Sequence, residues 1–188
     1  MLNIFKINYN NRLIRKGIVV VGARTQIRSL RINIPTNFQK KGMITIGDDC
    51  IIHGNITIYS QNAKITIGNR VYIGTDTTLF CYDKIVFKDD ILVSWGCTFI
   101  DTNAHAIKWD SRKNDVMNWH IGSKDWSSVE HAGITVENRT WVGFNSTILK
   151  GVVLGEESIV AAGSVVSKSV SPNIIVGGNP ASFIKIIE

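Results

Sequence analysis

The stretch VENRTW-VGFNST-ILKGVV-LGEESI-VAAGSV-VSKSV, residues 136–170, decides the fold. Each block opens on an aliphatic residue: Val136, Val142, Ile148, Leu154, Val160 and Val166. Four residues later comes a small or β-branched one: Thr140, Ser146, Val152, Ser158, Ser164 and Val170. Neither the helical period of 3.6 nor the strand period of 2 gives this register. A period of six does, when each block is one short strand plus one tight turn. Three blocks then close a triangular coil, and coils stack on one another.

The third and fourth places of each block must turn a corner. They read Asp48-Asp49, Gly54-Asn55, Asn69-Arg70, Thr75-Asp76, Asp89-Asp90, Asn138-Arg139, Lys150-Gly151 and Ala162-Gly163. Asn, Asp and Gly tolerate the left-handed backbone that a tight corner needs. The first place points inward, and a small fifth residue lets the next coil approach.

Upstream the same beat runs through Ile46, Ile52, Ile58, then Ile67, Ile73, Leu79, then Phe87, Val93, Phe99. Short loops, Tyr59 to Ile65 and Phe80 to Ile85, shift its phase. The expectation is an all-β parallel β-helix of about five coils, above the roughly three repeats a solenoid needs. One domain spans 1–188. Within it, 1–42 is a cap or irregular first coil, because Arg31 falls where a small residue belongs. Residues 43–100 and 134–171 are coils, 101–133 an inserted loop, and 172–188 a C-terminal tail covering the far end of the core.

The net charge of +6 comes from scattered Lys and Arg. No aromatic stripe of the single-strand-binding kind is interleaved with them, so nucleic acid is not the expected partner; a phosphate-rich small molecule fits the charge better. Cys50 and Cys97 occupy inward fifth places and read as small apolar residues, while Cys81 falls in an inter-coil loop. With three cysteines and no CxxC, neither a zinc site nor a disulfide frame is indicated. The apolar run 18–21 is too short for a secretory h-region or a membrane span. The expectation is a cytoplasmic protein with no integral membrane segment.

The insertion 101–133 holds three of the five Trp residues and three of the four His. Such a loop inside a regular solenoid carries function or is disordered, and its aromatics argue against disorder. Trp109, Trp119 and Trp126 either stack on sugar rings or anchor the loop to the solenoid wall.

Several motifs together carry a resemblance. They are Trp141-Val142-Gly143, Ile148-Leu149-Lys150-Gly151-Val152, Ala161-Ala162-Gly163-Ser164-Val165-Val166-Ser167-Lys168 and Gly178-Asn179-Pro180-Ala181. With the hexads they resemble the hexapeptide-repeat acyltransferases over residues 43–188, in the branch of maltose and galactoside O-acetyltransferases and surface-polysaccharide O-acetyltransferases. The resemblance implies a left-handed parallel β-helix, a homotrimer with active sites in clefts between subunits, and acetyl-CoA as acyl donor to a glycan or sugar acceptor. It carries the catalytic imidazole onto His105, in Phe99-Ile100-Asp101-Thr102-Asn103-Ala104-His105. Imidazole suits the work, because a hydroxyl must lose its proton as it attacks a thioester. A backbone amide near the coil edge would stabilise the oxyanion. The residue that orients His105 is left open between Asp101, which could equally cap the turn, and Asp76.

For the cofactor, the resemblance places pantetheine past Gly143 and the pair Ala161-Ala162. Ser167 and Lys168 fall near the nucleotide and Lys185 near the phosphates, as a charge without the fork of Arg. Trp141 falls at the cleft entrance. Amino-sugar N-acetylation, serine acetylation and a non-catalytic scaffold are the competing readings. A zinc-dependent carbonic anhydrase on the same fold would need a tight His triad, which His105, His120 and His131 do not form; no metal is expected.

Overall fold

The computed structural model describes residues 10–188. Three parallel sheets form the three walls of a solenoid. The first coil is β1 (Val19–Val21), β2 (Gln26–Ile27) and β3 (Arg31–Asn33). The next three are β4 (Ile44–Ile46), β5 (Ile51–Ile52) and β6 (Asn55–Ile58); β7 (Lys64–Ile67), β8 (Tyr72–Ile73) and β9 (Thr78–Cys81); and β10 (Lys84–Phe87), β11 (Leu92–Val93) and β12 (Thr98–Ile100). After the insertion come β13 (Ile134–Val136), β14 (Trp141–Val142) and β15 (Thr147–Leu149), then β16 (Val153–Leu154), β17 (Ile159–Val160) and β18 (Val165–Val166). The first strands of all coils pair into wall 1, the second into wall 2 and the third into wall 3.

The stack therefore has six full coils where the beat suggests about five, because residues 19–33 form a regular coil. Wall pairing explains why its beat is hidden. Ile27 pairs with Ile52 and Arg31 with Asn55, while Val93 pairs with Val142 and Thr98 with Thr147. The turn between walls 2 and 3 is thus shorter in the first two coils than in the later ones. The phase slips, Ile32 takes the inward place, and Arg31 stays exposed. By the same shift Ile56, not Ile58, sits beneath Leu79, and Ile58 pairs with Cys81. Cys81 is accordingly a buried strand residue rather than a loop residue.

Aliphatic side chains fill the interior in layers, with Phe87 and Phe99 edge-to-face at 5.0 Å in the middle. Corners use the left-handed region where the sequence places them: Asp49, Arg70, Asp76, Asp90, Arg139, Gly151 and Gly163 all have positive φ.

The edge between walls 1 and 2 is also held by side chains. Asp48 accepts from the Ala23 amide at 2.7 Å, Asn69 from Asp48 at 2.9 Å, Asp89 from Asn69 at 2.8 Å, and Asn138 from Asp89 at 3.0 Å. Beside this ladder run Arg24–Asp49, Arg70–Asp90 and Arg139–Glu157, each at 2.5 or 2.6 Å.

The C-terminal residues meet the far end of the core through Val176, with Ile174 and Ala181 packed against it. β19 (Ile174–Gly178) adds parallel to β17, and β20 (Ala181–Ile186) returns antiparallel to it, extending wall 2. Phe183, Ile184 and Ile186 stay exposed.

Candidate active site

The insertion leaves wall 3 after β12 and re-enters wall 1 at β13, so it springs from the edge between walls 3 and 1. Its first residue, Asp101, is fully buried. The carboxylate accepts from the amides of Tyr82 at 2.7 Å and Asp83 at 2.8 Å, and from the Cys81 thiol at 3.4 Å. Burial raises its pKa against the pull of those donors. Burial, then the Asp101 charge, raise that of the Cys81 thiol. With its oxygens committed to the corner below, Asp101 does not reach His105. Of its two sequence roles, the turn cap is the one its contacts fill.

His105 is oriented by another carboxylate. Helices α1 (Trp109–Arg112) and α2 (Asp115–His120) fold the insertion back, bringing Asp115 Oδ2 to 2.5 Å from His105 Nδ1. Lys124 Nζ lies 2.7 Å from the same oxygen and 3.3 Å from Nδ1. The Lys124 side chain is 5% exposed and that of Asp115 7%. The lysine and the imidazole lower the Asp115 pKa, the lysine hydrogen bond most. A carboxylate held ionised in this way accepts the Nδ1 proton and leaves Nε2 with its lone pair free. The side of the ring is closed by Trp119, edge-on at 5.7 Å.

The predicted tryptophans separate. Trp126 packs on Tyr59 at 5.3 Å and Tyr82 at 4.8 Å, anchoring the loop to the wall edge. With Trp119 it boxes the Lys124 ammonium, each ring centroid 5.3 Å away. Trp109 is exposed, with the Arg112 guanidinium 5.6 Å from its ring centroid.

Trp141 lies elsewhere. It joins Gly143, Ala161 and Ala162 in a groove of about 380 Å³ on wall 2 and the edge between walls 2 and 3, walled by the stacked pair Trp95 and Phe144 at 4.9 Å. Gly143 is fixed by packing, since a Cβ there would lie 2.6 Å from the Ala162 nitrogen. Ser167 and Lys168 follow β18 on the edge between walls 3 and 1, both exposed. Lys185 sits on β20, beside Phe183 and Ile184 in a shallow cleft of about 600 Å³. Within one chain, then, the imidazole and the apolar groove occupy different edges of the triangle. Asp115, Lys124 and the Trp95–Phe144 stack had no distinguishing spacing in the sequence. Among the described residues no cluster of His, Cys, Asp or Glu is arranged to hold a metal, and no helix is long and apolar enough to cross a membrane.

Residues 133–168 match the family described as "Bacterial transferase hexapeptide (six repeats)". That match spans β13 to β18, the two coils that follow the insertion. It is 26% identical over 149 residues to the galactoside O-acetyltransferase of Escherichia coli (strain K12), covering 79% of this chain and 66% of that one. It is 52% identical over 112 residues to the "Probable macrolide acetyltransferase" of Lysinibacillus sphaericus, covering 56% and 62%. It is 24% identical over 176 residues to the "Putative lipopolysaccharide biosynthesis O-acetyl transferase WbbJ" of Escherichia coli (strain K12), covering 93% and 86%. The chain thus spans about two thirds, or slightly less, of the galactoside and macrolide relatives' own lengths. Among solved structures it shares its fold with AntD, an N-acyltransferase from Bacillus cereus crystallised with dTDP and 3-hydroxybutyryl-CoA. The TM-score there is 0.70 at 22% identity, covering 95% of this chain and 88% of that one.

Proposed function

We propose that this protein transfers an acetyl group from acetyl-CoA to a sugar hydroxyl, on a glycan of a capsule or lipopolysaccharide O-antigen, and does so in the cytoplasm. The observation that carries the reading is the His105–Asp115 pair at 2.5 Å, backed by a lysine that is itself boxed by two indoles. In this reading His105 Nε2 takes the proton of the acceptor hydroxyl as its oxygen attacks the thioester carbonyl. Asp115 holds the opposite proton and balances the imidazolium that forms. Collapse of the tetrahedral adduct breaks the carbon–sulfur bond, and His105 returns its proton to the departing thiolate. No covalent enzyme intermediate is needed, in keeping with three buried, free cysteines.

The groove of Trp141, Gly143, Ala161 and Ala162 is apolar and narrow, as a pantetheine arm requires, and the amides at its edge offer strand-like pairing. Lys185 and Lys168 supply cationic charge for the phosphates, with Ser167 beside Lys168. Because base and groove lie on different edges of one chain, the site is assembled between neighbours in a homotrimer. Trp109 and Trp119 offer exposed ring faces to the acceptor sugar. The sugar-hydroxyl reading draws on the names of the galactoside and lipopolysaccharide relatives. A macrolide hydroxyl is the second reading, favoured by the 52% identity to the macrolide relative.

Thiol release from acetyl-CoA across a panel of glycans, amino sugars and macrolides tests this. A sugar or polysaccharide should be the best acceptor, and His105→Ala should lose about 100- to 10,000-fold in rate. An undiminished rate in that variant would remove His105 from the chemistry, and a macrolide or an amine as best acceptor would replace the substrate reading.

A further inference from the structure

We propose that the solenoid edge bearing Lys41, Lys64 and Lys84 is a binding track for a linear anionic glycan, which it delivers to His105. The inference rests on the transferase reading above and adds the charge and shape of its acceptor.

The two charged edges of the solenoid are built oppositely. Between walls 1 and 2, arginines and carboxylates alternate from coil to coil and pair. At the edge between walls 3 and 1, Lys64 and Lys84 are directly opposite each other in register on β7 and β10. Both are exposed, on strands about 4.8 Å apart. Like charges placed this way destabilise a sheet. Among the described residues no carboxylate lies within ion-pair distance of Lys41, Lys64 or Lys84, and Asp83, beside Lys84, joins no ion pair. The second to fourth coils of this edge are thus left unneutralised, whereas past the insertion Lys150 pairs with Glu130 at 3.4 Å.

The row has the form of a site. Lys40, Lys41 and Lys64 line a cleft of about 300 Å³ with Gln61 and Asn62, and Lys40 donates to Asn62 at 3.3 Å. Cations interspersed with amides match carboxylate and hydroxyl groups alternating along a sugar chain. One positive step per coil matches a linear polyanion better than a single phosphate. No large apolar side chain is exposed among residues 40–42, 61–64 and 84, so the row has nothing to insert into a bilayer.

The track also leads to the candidate base. Asp101 is bonded to the amides of Tyr82 and Asp83, so the insertion begins beside Lys84. Trp126 covers Tyr59 and Tyr82 on this same edge, and its indole touches the Lys124 ammonium that meets His105 through Asp115. A chain held by the lysines would reach His105 without leaving this edge.

The test is binding of an oligogalacturonate and a neutral maltooligosaccharide of equal length, at low and high salt, to the parent, Lys64→Glu and the double variant Lys64→Glu/Lys84→Glu. CoA binding and Tm are recorded for each. The parent should bind the uronate at least about tenfold more tightly than the neutral chain, and salt should weaken only the uronate. The double variant should lose that preference with CoA binding unchanged. Lys64→Glu should lose affinity while its Tm holds or rises, because an opposite-charge pair replaces a repulsive one. A folding defect would instead lower Tm. Equal affinity for the two chains, uronate binding retained in the double variant, or tighter binding of anionic vesicles or RNA than of uronate would each overturn the proposal. Absence of CoA binding in the parent would overturn the transferase reading separately.

Discussion

His105 illustrates how a residue's role depends on its partner. Its Nδ1 meets a carboxylate that a lysine keeps charged, which leaves Nε2 available for the base role proposed above. Asp115→Asn keeps the size of the partner and removes its charge. It should lower kcat with KM little changed, by less than the His105→Ala loss of about 100- to 10,000-fold. Steady-state kinetics of the two variants side by side check this, and equal losses would make Asp115 part of the base rather than its support. Gly143 answers to packing. A methyl there would press on the Ala162 backbone, so Gly143→Ala should cost about 1–3 kcal/mol in chemical denaturation.

The insertion, as an element, is organised around Lys124. Its stem is buried, its ammonium lies against Trp119 and Trp126, and its charge is given to Asp115. Lys124→Met keeps the apolar stem and removes the cation. The Asp115 pKa should then rise toward 3.8, its ordinary value, and carboxyl NMR titration reads that directly. Stability follows the same linkage. Because the folded pKa lies below the unfolded one, the Asp115 contribution is complete above that ordinary value. It is lost as pH falls through the lower folded pKa. As pH falls from about 4 through the lower folded pKa, the parent should therefore lose more Tm than Asp115→Asn. Identical acid profiles would place Asp115 outside the balance. This element was the least legible part of the sequence. Asp101, Asp110, Asp115 and Asp125 are all acidic and all near His105 in number. Proximity in sequence favours Asp101, yet a strand end holds that carboxylate into the corner below, while a helix carries Asp115 back over ten residues.

At the scale of the whole molecule, three edges carry three different surfaces: a neutralised ladder, an aromatic groove and a basic row beside the imidazole. The separation of groove and base predicts subunit complementation. His105→Ala and the groove-filling Ala162→Trp should each be inactive alone, and refolding a mixture should restore activity, as an intact base from one protomer meets an intact groove from another. No recovery in mixed oligomers of verified composition would place the whole site within one chain.

The six-residue beat by itself determined the triangular solenoid, the inward aliphatic layers and most of the corners, because those follow from neighbours within one turn. The beat also marked the insertion as the place where the repeat stops, whereas His105 and the groove residues Gly143, Ala161 and Ala162 were singled out only by the resemblance that the motifs carry. Tertiary structure alone decided the first coil, whose shortened turn hides Ile32 from the count and can be aligned only by pairing with the strand above. It also decided the partner of His105 and the repulsive pairing of Lys64 with Lys84. These depend on which residues stand side by side after some twenty intervening positions, or on how a loop folds back, and neither distance is written in the spacing of the chain.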